Sequence, residues 1–202
     1  MLAVIDYGAG NLRSVLHALK HIGAEDVVVV QHPDQLKNVE KMILPGVGAF
    51  GAGMQVLHER GLIEPIREIV ATGIPFLGIC VGMQFLFDYG DEMGVHEGLK
   101  IIPGHVTRFP QFSELKVPHT GWNQLQPTHE SPLLRNLPED AYAYFVHSYH
   151  CVPTRAEDVL ITVDYGIKFC AAVQHHNIYG VQFHPEKSQI TGLTLLTNFL
   201  EL

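Results

Sequence analysis

Short apolar and β-branched runs alternate with segments of helical period through the first half of the chain. "LAVID" at residues 2 to 6, "DVVVV" at 26 to 30, "KMILP" at 41 to 45 and "IPFLGIC" at 74 to 80 read as strands. Between them, Leu12 to Ile22 and Leu62 to Ala71 repeat their apolar positions at helical spacing. That alternation predicts βαβ units, a mostly parallel sheet and hence an α/β fold. Past Leu99 the runs crowd together as "HVTRF", "YAYFVHSYH", "VLITVDY", "FCAAVQ" and "IYGVQF", which predicts a mixed or antiparallel extension of the same sheet. A final amphipathic helix over roughly Ile190 to Leu200 closes the pattern. No repeat, low-complexity tract or linker interrupts it, so residues 1–202 are expected to form one domain.

Composition narrows the classes of function. A chain of 202 residues with 47% hydrophobic content holds one substantial core. The formal charge of -8, with 13 Lys and Arg and no basic run, argues against nucleic acid as a partner. The opening "MLAVIDYG" lacks the features of a signal peptide, and no apolar run approaches the length of a membrane span, so the expectation is a cytoplasmic protein with no membrane partner. Cys80, Cys151 and Cys170 are odd in number and widely spaced, which fits reduced thiols.

One of these cysteines stands apart. In "PFLGICVGMQFLF" an apolar strand runs into helix-forming residues, with Cys80 on the bend and Gly78 and Gly82 on either side. Glycines there remove the β-carbons that would collide, giving a nucleophile elbow with sulfur in place of oxygen. The following helix N-terminus would favour a thiolate, and the N–H of Val81 would face a developing oxyanion. The alternative is a small buried residue at a packed strand end, which is how Cys151 and Cys170 are read.

A thiol nucleophile needs a base, and the base an orienting group. "YGVQFHPEKS" offers both: His184 ends a strand-like run, and Glu186, two residues on, lies on the same side of an extended chain. Without the cysteine bend this would be a solvated turn. A third piece, "ILPGVGAFGAG", ends a strand in Pro-Gly-x-Gly, and Gly48 could supply a second oxyanion donor beside Val81.

With "GICVGMQ", a later "HPE" and an early "PGVG", the chain resembles the class I (triad) glutamine amidotransferases over nearly its whole length. The resemblance implies a flavodoxin-like three-layer α/β/α domain that releases ammonia from glutamine through a cysteinyl thioester, without a metal or other cofactor. It makes Cys80 the nucleophile, His184 the base and Glu186 its orienting carboxylate. Gln84 would contact the substrate glutamine, and Ser148 and Tyr149 of "HSYH" would hold its amino acid end. "IDYGAGNLRSV", "VPHTGWNQL" and "HPEKSQITGLTLLTNFL" are similar to the members that serve a (β/α)8 barrel cyclase in histidine biosynthesis. By that likeness Gly10, Asn11, Trp122, Asn123 and Lys187 face the barrel, although a sole tryptophan is also a common core anchor.

Other readings fit less well. A dinucleotide loop at "DYGAGN" would need glycine where Arg13 stands. A zinc hydrolase using His147, His150 and His184 lacks ligand spacing. A cysteine hydrolase of the same fold would not need "HPE" together with Gln84. The vitamin B6 glutaminases differ mainly at "GWN" and "HPEKSQ".

Overall fold

A computed structural model describes residues 1–111 and 113–202. The chain runs β1 (Leu2–Ile5), α1 (Leu12–His21), β2 (Val27–Val30), β3 (Lys41–Gly46), α2 (Phe50–Glu59), α3 (Ile63–Ala71), β4 (Phe76–Cys80) and α4 (Val81–Gln84). There follow β5 (Tyr89–Gly90), β6 (His96–Glu97), β7 (Gly104–Arg108), β8 (His119–Gln124), β9 (Gln126–Pro127), β10 (Tyr142–His147) and β11 (Tyr149–Pro153). The last elements are β12 (Val159–Asp164), β13 (Lys168–His175), β14 (Ile178–Val181) and α5 (Gln189–Leu200).

The sheet follows the order β2-β1-β3-β4-β14-β13-β11-β7-β5-β6, with β12 and β9 branching from β13. Its first five strands are parallel, and β13 turns antiparallel against β14. All residues of β1 and β4 are buried, which is why their sequences are continuous apolar runs rather than alternating ones. The α/β architecture is the expected one, with the antiparallel extension reached through β13, β11 and β7.

Two features depart from the pattern. "YAYFVHSYH" is not one strand: it divides at Ser148, whose carbonyl accepts from Phe109, and only β11 joins the main sheet. β10 instead pairs with β8 as a separate two-stranded ribbon. The helix after Cys80 is also shorter than "GMQFLF" implies. Carbonyls of Phe85, Leu86 and Phe87 accept from the N–H groups of residues 99 to 102, so α4 stops after one turn. A single turn aligns too few peptides for the expected macrodipole, so the charge that faces Cys80 has to come from elsewhere. Among the described residues no helix is long and apolar enough to cross a membrane.

Candidate active site

In parallel α/β sheets, ligands gather beyond the carboxyl ends of the strands. Three strand ends meet there. β3 and β4 finish level, Gly46 opposite Cys80, and β14 runs parallel to β4 before leading into His184.

Cys80 sits on the bend in a conformation that L residues rarely adopt, φ 56° and ψ −113°. The two glycines make the bend possible by close approach. A β-carbon on Gly82 would overlap the Leu44 carbonyl oxygen, and one on Gly78 would lie 2.5 Å from that of Gly82. The turn is thereby pressed against β3, and the sulfur faces a cavity of about 350 Å3. Gly48, Val81, Gln84, Ser148, Tyr149 and His184 line that cavity too. Gly48 has φ +91°, and a side chain there would meet nothing within 4 Å.

On one side His184 shares the cavity wall with Cys80, close enough for the sulfur to act on its imidazole. On the other, its Nδ1 lies 2.9 Å from Glu186 Oε1. Burial by itself would lower the imidazole pKa, but hydrogen bonds and charge from Cys80 and Glu186 outweigh it and raise the value to about 9. Burial would likewise raise the Glu186 carboxyl, and His184 together with the Asn11 amide, at 3.0 Å, holds it below its ordinary value. A sulfur beside an imidazole that stays protonated at neutral pH, itself held by a carboxylate, is the arrangement of an activated sulfur nucleophile. Cys151 and Cys170 are the contrast: both are buried, and burial pushes their thiols upward.

The five residues expected at a partner surface divide. Trp122 is 47% exposed, which removes the core-anchor alternative, and it meets Tyr144 across the β8–β10 ribbon with ring centroids 6.1 Å apart. Lys187 Nζ stands 5.9 Å from the Tyr144 ring centroid, adding a cation to the same patch. Asn123 donates its amide to the Asp164 carbonyl, and Asn11 turns inward to Glu186. Gly10 is half-buried with φ +142°, close to the Pro45 carbonyl.

Two residues of the site escaped the sequence reading. Glu92 lines the cavity and accepts the Phe50 N–H, 2.7 Å away, at the start of α2. It lies in the loop "GDEMG", where nothing local distinguishes it from other surface acids. Gln182 is fully buried with its Nε2 3.8 Å from the Cys80 sulfur. A glutamine at an inward position of an apolar run was its only signal.

The family model for class I glutamine amidotransferases matches residues 3–202. The imidazole glycerol phosphate synthase subunit HisH of Salinibacter ruber is 50% identical over 207 residues, covering 100% of this chain and 94% of that protein. The subunit of the same name from Geobacter sulfurreducens is 48% identical over 206 residues, covering 100% and 98%. A crystal structure of a glutamine amidotransferase superposes with a TM-score of 0.76 at 19% identity, over 98% of this chain and 97% of the other, which speaks for the fold.

Proposed function

Since the chain belongs to the class I glutamine amidotransferases, we propose that it is the glutaminase subunit of an imidazole glycerol phosphate synthase. It hydrolyses glutamine to glutamate and ammonia, and passes the ammonia to a partner cyclase of histidine biosynthesis in the cytoplasm. The observation that carries this reading is His184 held between the Cys80 sulfur and the Glu186 carboxylate at the wall of a cavity.

The thiolate of Cys80 attacks the side-chain amide carbon of glutamine. Negative charge gathers on the amide oxygen, to which the N–H groups of Val81 and Gly48 donate. The His184 imidazolium gives its proton to the departing nitrogen, so ammonia leaves and a thioester remains. Neutral His184 then takes a proton from water as the water attacks the thioester, releasing glutamate and restoring the thiolate–imidazolium pair. Glu186 keeps Nδ1 protonated and the other nitrogen toward sulfur throughout. Glu92 supplies the carboxylate that the α-ammonium of glutamine requires, and Gln84, Ser148 and Tyr149 hold the rest of the amino acid.

Ammonia released into water would be protonated and lost as a nucleophile, so delivery needs a closed interface. The partner is a (β/α)8 barrel cyclase that docks on the ribbon face of Trp122, Asn123 and Lys187, with Gly10 and Asn11 at its edge. β8 carries Trp122 and Asn123 and pairs with β10, which leads through His147 to Ser148 and Tyr149 at the cavity, so the docking face and the substrate pocket share one ribbon. The test is turnover of glutamine labelled with 15N in its amide, with the cyclase and an excess of unlabelled ammonium. The imidazole product should carry 15N; product that carries the solvent nitrogen would overturn the channelling subunit.

A further inference from the structure

We propose that Gln182 is a second anchor of the Cys80 thiolate, aimed by a hydrogen-bond chain that starts at one backbone carbonyl. The inference rests on Cys80 being the reactive sulfur of the proposed glutaminase, and adds a residue to that site. The carbonyl of Tyr149 can only accept. It therefore takes N–H groups from His147 Nδ1 at 2.8 Å and from Gln84 Nε2 at 3.3 Å. That fixes which end of the Gln84 amide is which, and its second amide hydrogen goes to Gln182 Oε1 at 3.0 Å. With its oxygen so engaged, Gln182 must present its Nε2 hydrogens to the sulfur, 3.8 Å away. His147 is fixed by the same carbonyl: its Nε2 is left as an acceptor and faces His119 Nδ1 at 3.0 Å. Burial holds both imidazoles neutral, His147 down to about 3 and His119 down to about 4, so the chain keeps one direction across the working pH range.

The sulfur is thus met by the Gln182 amide on a wall it shares with His184, and Gln182 is entirely shielded from water. A neutral amide hydrogen stabilises an anionic sulfur more than a thiol or a thioester. Gln182 consequently favours the thiolate before attack and as the leaving group when water opens the thioester. Gln84 acts here as a positioning residue, and its Oε1 remains for the substrate.

The test is the pH dependence of Cys80 alkylation by iodoacetamide in the full chain, followed by peptide mass mapping. Q182L removes the donor and should raise the thiolate midpoint by about one pH unit, the size expected for a hydrogen bond to a charged acceptor. Q182E keeps the shape but turns a carboxylate toward the sulfur and should raise it further. Q84L frees Gln182 to rotate and should give a smaller rise. In glutamine hydrolysis, kcat of Q182L should fall roughly tenfold with KM unchanged. Midpoints equal to that of the unmutated chain in folded Q182L and Q182E would overturn the proposal. Should both variants fail to fold, the Gln182 side-chain amide of the unmutated chain, followed by NMR, must shift with the Cys80 titration; a flat response overturns it equally. Alkylation does not depend on glutamine, so a chain that shows these midpoints but turns over no glutamine would sink the glutaminase reading and leave the Gln182 anchor standing.

Discussion

Replacing Glu186 by Gln removes one charge and little else from the site. The amide oxygen of E186Q still accepts the His184 Nδ1 hydrogen and the Asn11 amide, so the imidazole keeps its orientation. What disappears is part of the attraction that lifts His184 from 6.5 to about 9, a rise worth about 3.5 kcal/mol at ~1.4 kcal/mol per unit. Among the groups that raise the value against burial, Cys80 ranks ahead of Glu186, and the amide of E186Q keeps its hydrogen bond, so the lost charge is worth on the order of 1 kcal/mol, somewhat less than one pH unit. The alkaline limb of kcat/KM for glutamine, measured with the cyclase present, should therefore move down by about this amount in E186Q. Stability should follow. A His pKa raised by folding stabilises the native chain fully below the unfolded value of 6.5 and loses that contribution as pH rises through about 9. Urea unfolding at pH 6 and pH 9.5 should thus show a smaller alkaline loss for E186Q than for the unmutated chain, by roughly 1 kcal/mol. An unmoved alkaline limb together with equal alkaline losses would refute the placement of the Glu186 charge in this pair.

Other consequences are as direct. G82A places a β-carbon into the Leu44 carbonyl and should lower stability by about 3 kcal/mol or more, read as a fall in Tm; an unchanged Tm would mean that α4 and β3 are not in contact. W122A should leave the stability of the isolated chain within about 0.5 kcal/mol, because the ring is half exposed, while weakening cyclase binding in calorimetry by roughly 30-fold. Glutamine hydrolysis by the chain alone should be slow and rise by roughly tenfold or more when the cyclase and its ligand are added, as the Gly48 peptide turns its N–H into the oxyanion position. Equal rates with and without the cyclase would remove that coupling.

The parallel half of the fold is legible in the sequence because inner strands such as β1 and β4 are buried throughout, and burial writes itself as the uninterrupted apolar runs "LAVI" and "FLGIC". α2 is not legible in this way. Its "FGAGMQVLHE" carries glycines at its second and fourth positions, poor helix formers kept for packing: a β-carbon on Gly53 would run into the Phe85 ring. The ribbon of β8 and β10 is hidden for another reason, since pairing partners more than fifteen residues apart leave no local mark. At the site, the Cys80 bend is a short-range pattern that a reader of the chain can recover, and so is the His184–Glu186 pair, although Pro185 starts a 3-10 turn over Pro185–Lys187 and the two side chains meet across that turn rather than along an extended chain. Asn11, Glu92 and Gln182 reach the same place from three distant segments, and their meeting is a product of tertiary packing alone. The short α4 belongs with these, because residues 99 to 102 decide where it ends.

Every step of the proposed chemistry requires Cys80 to be the sulfur that glutamine meets. Incubating the chain and its cyclase with a glutamine-like diazo ketone, then mapping the modified peptides by mass, measures this directly. One label per chain on Cys80, absent in H184A, is the predicted result. A label on Cys151 or Cys170 with Cys80 unmodified would contradict it.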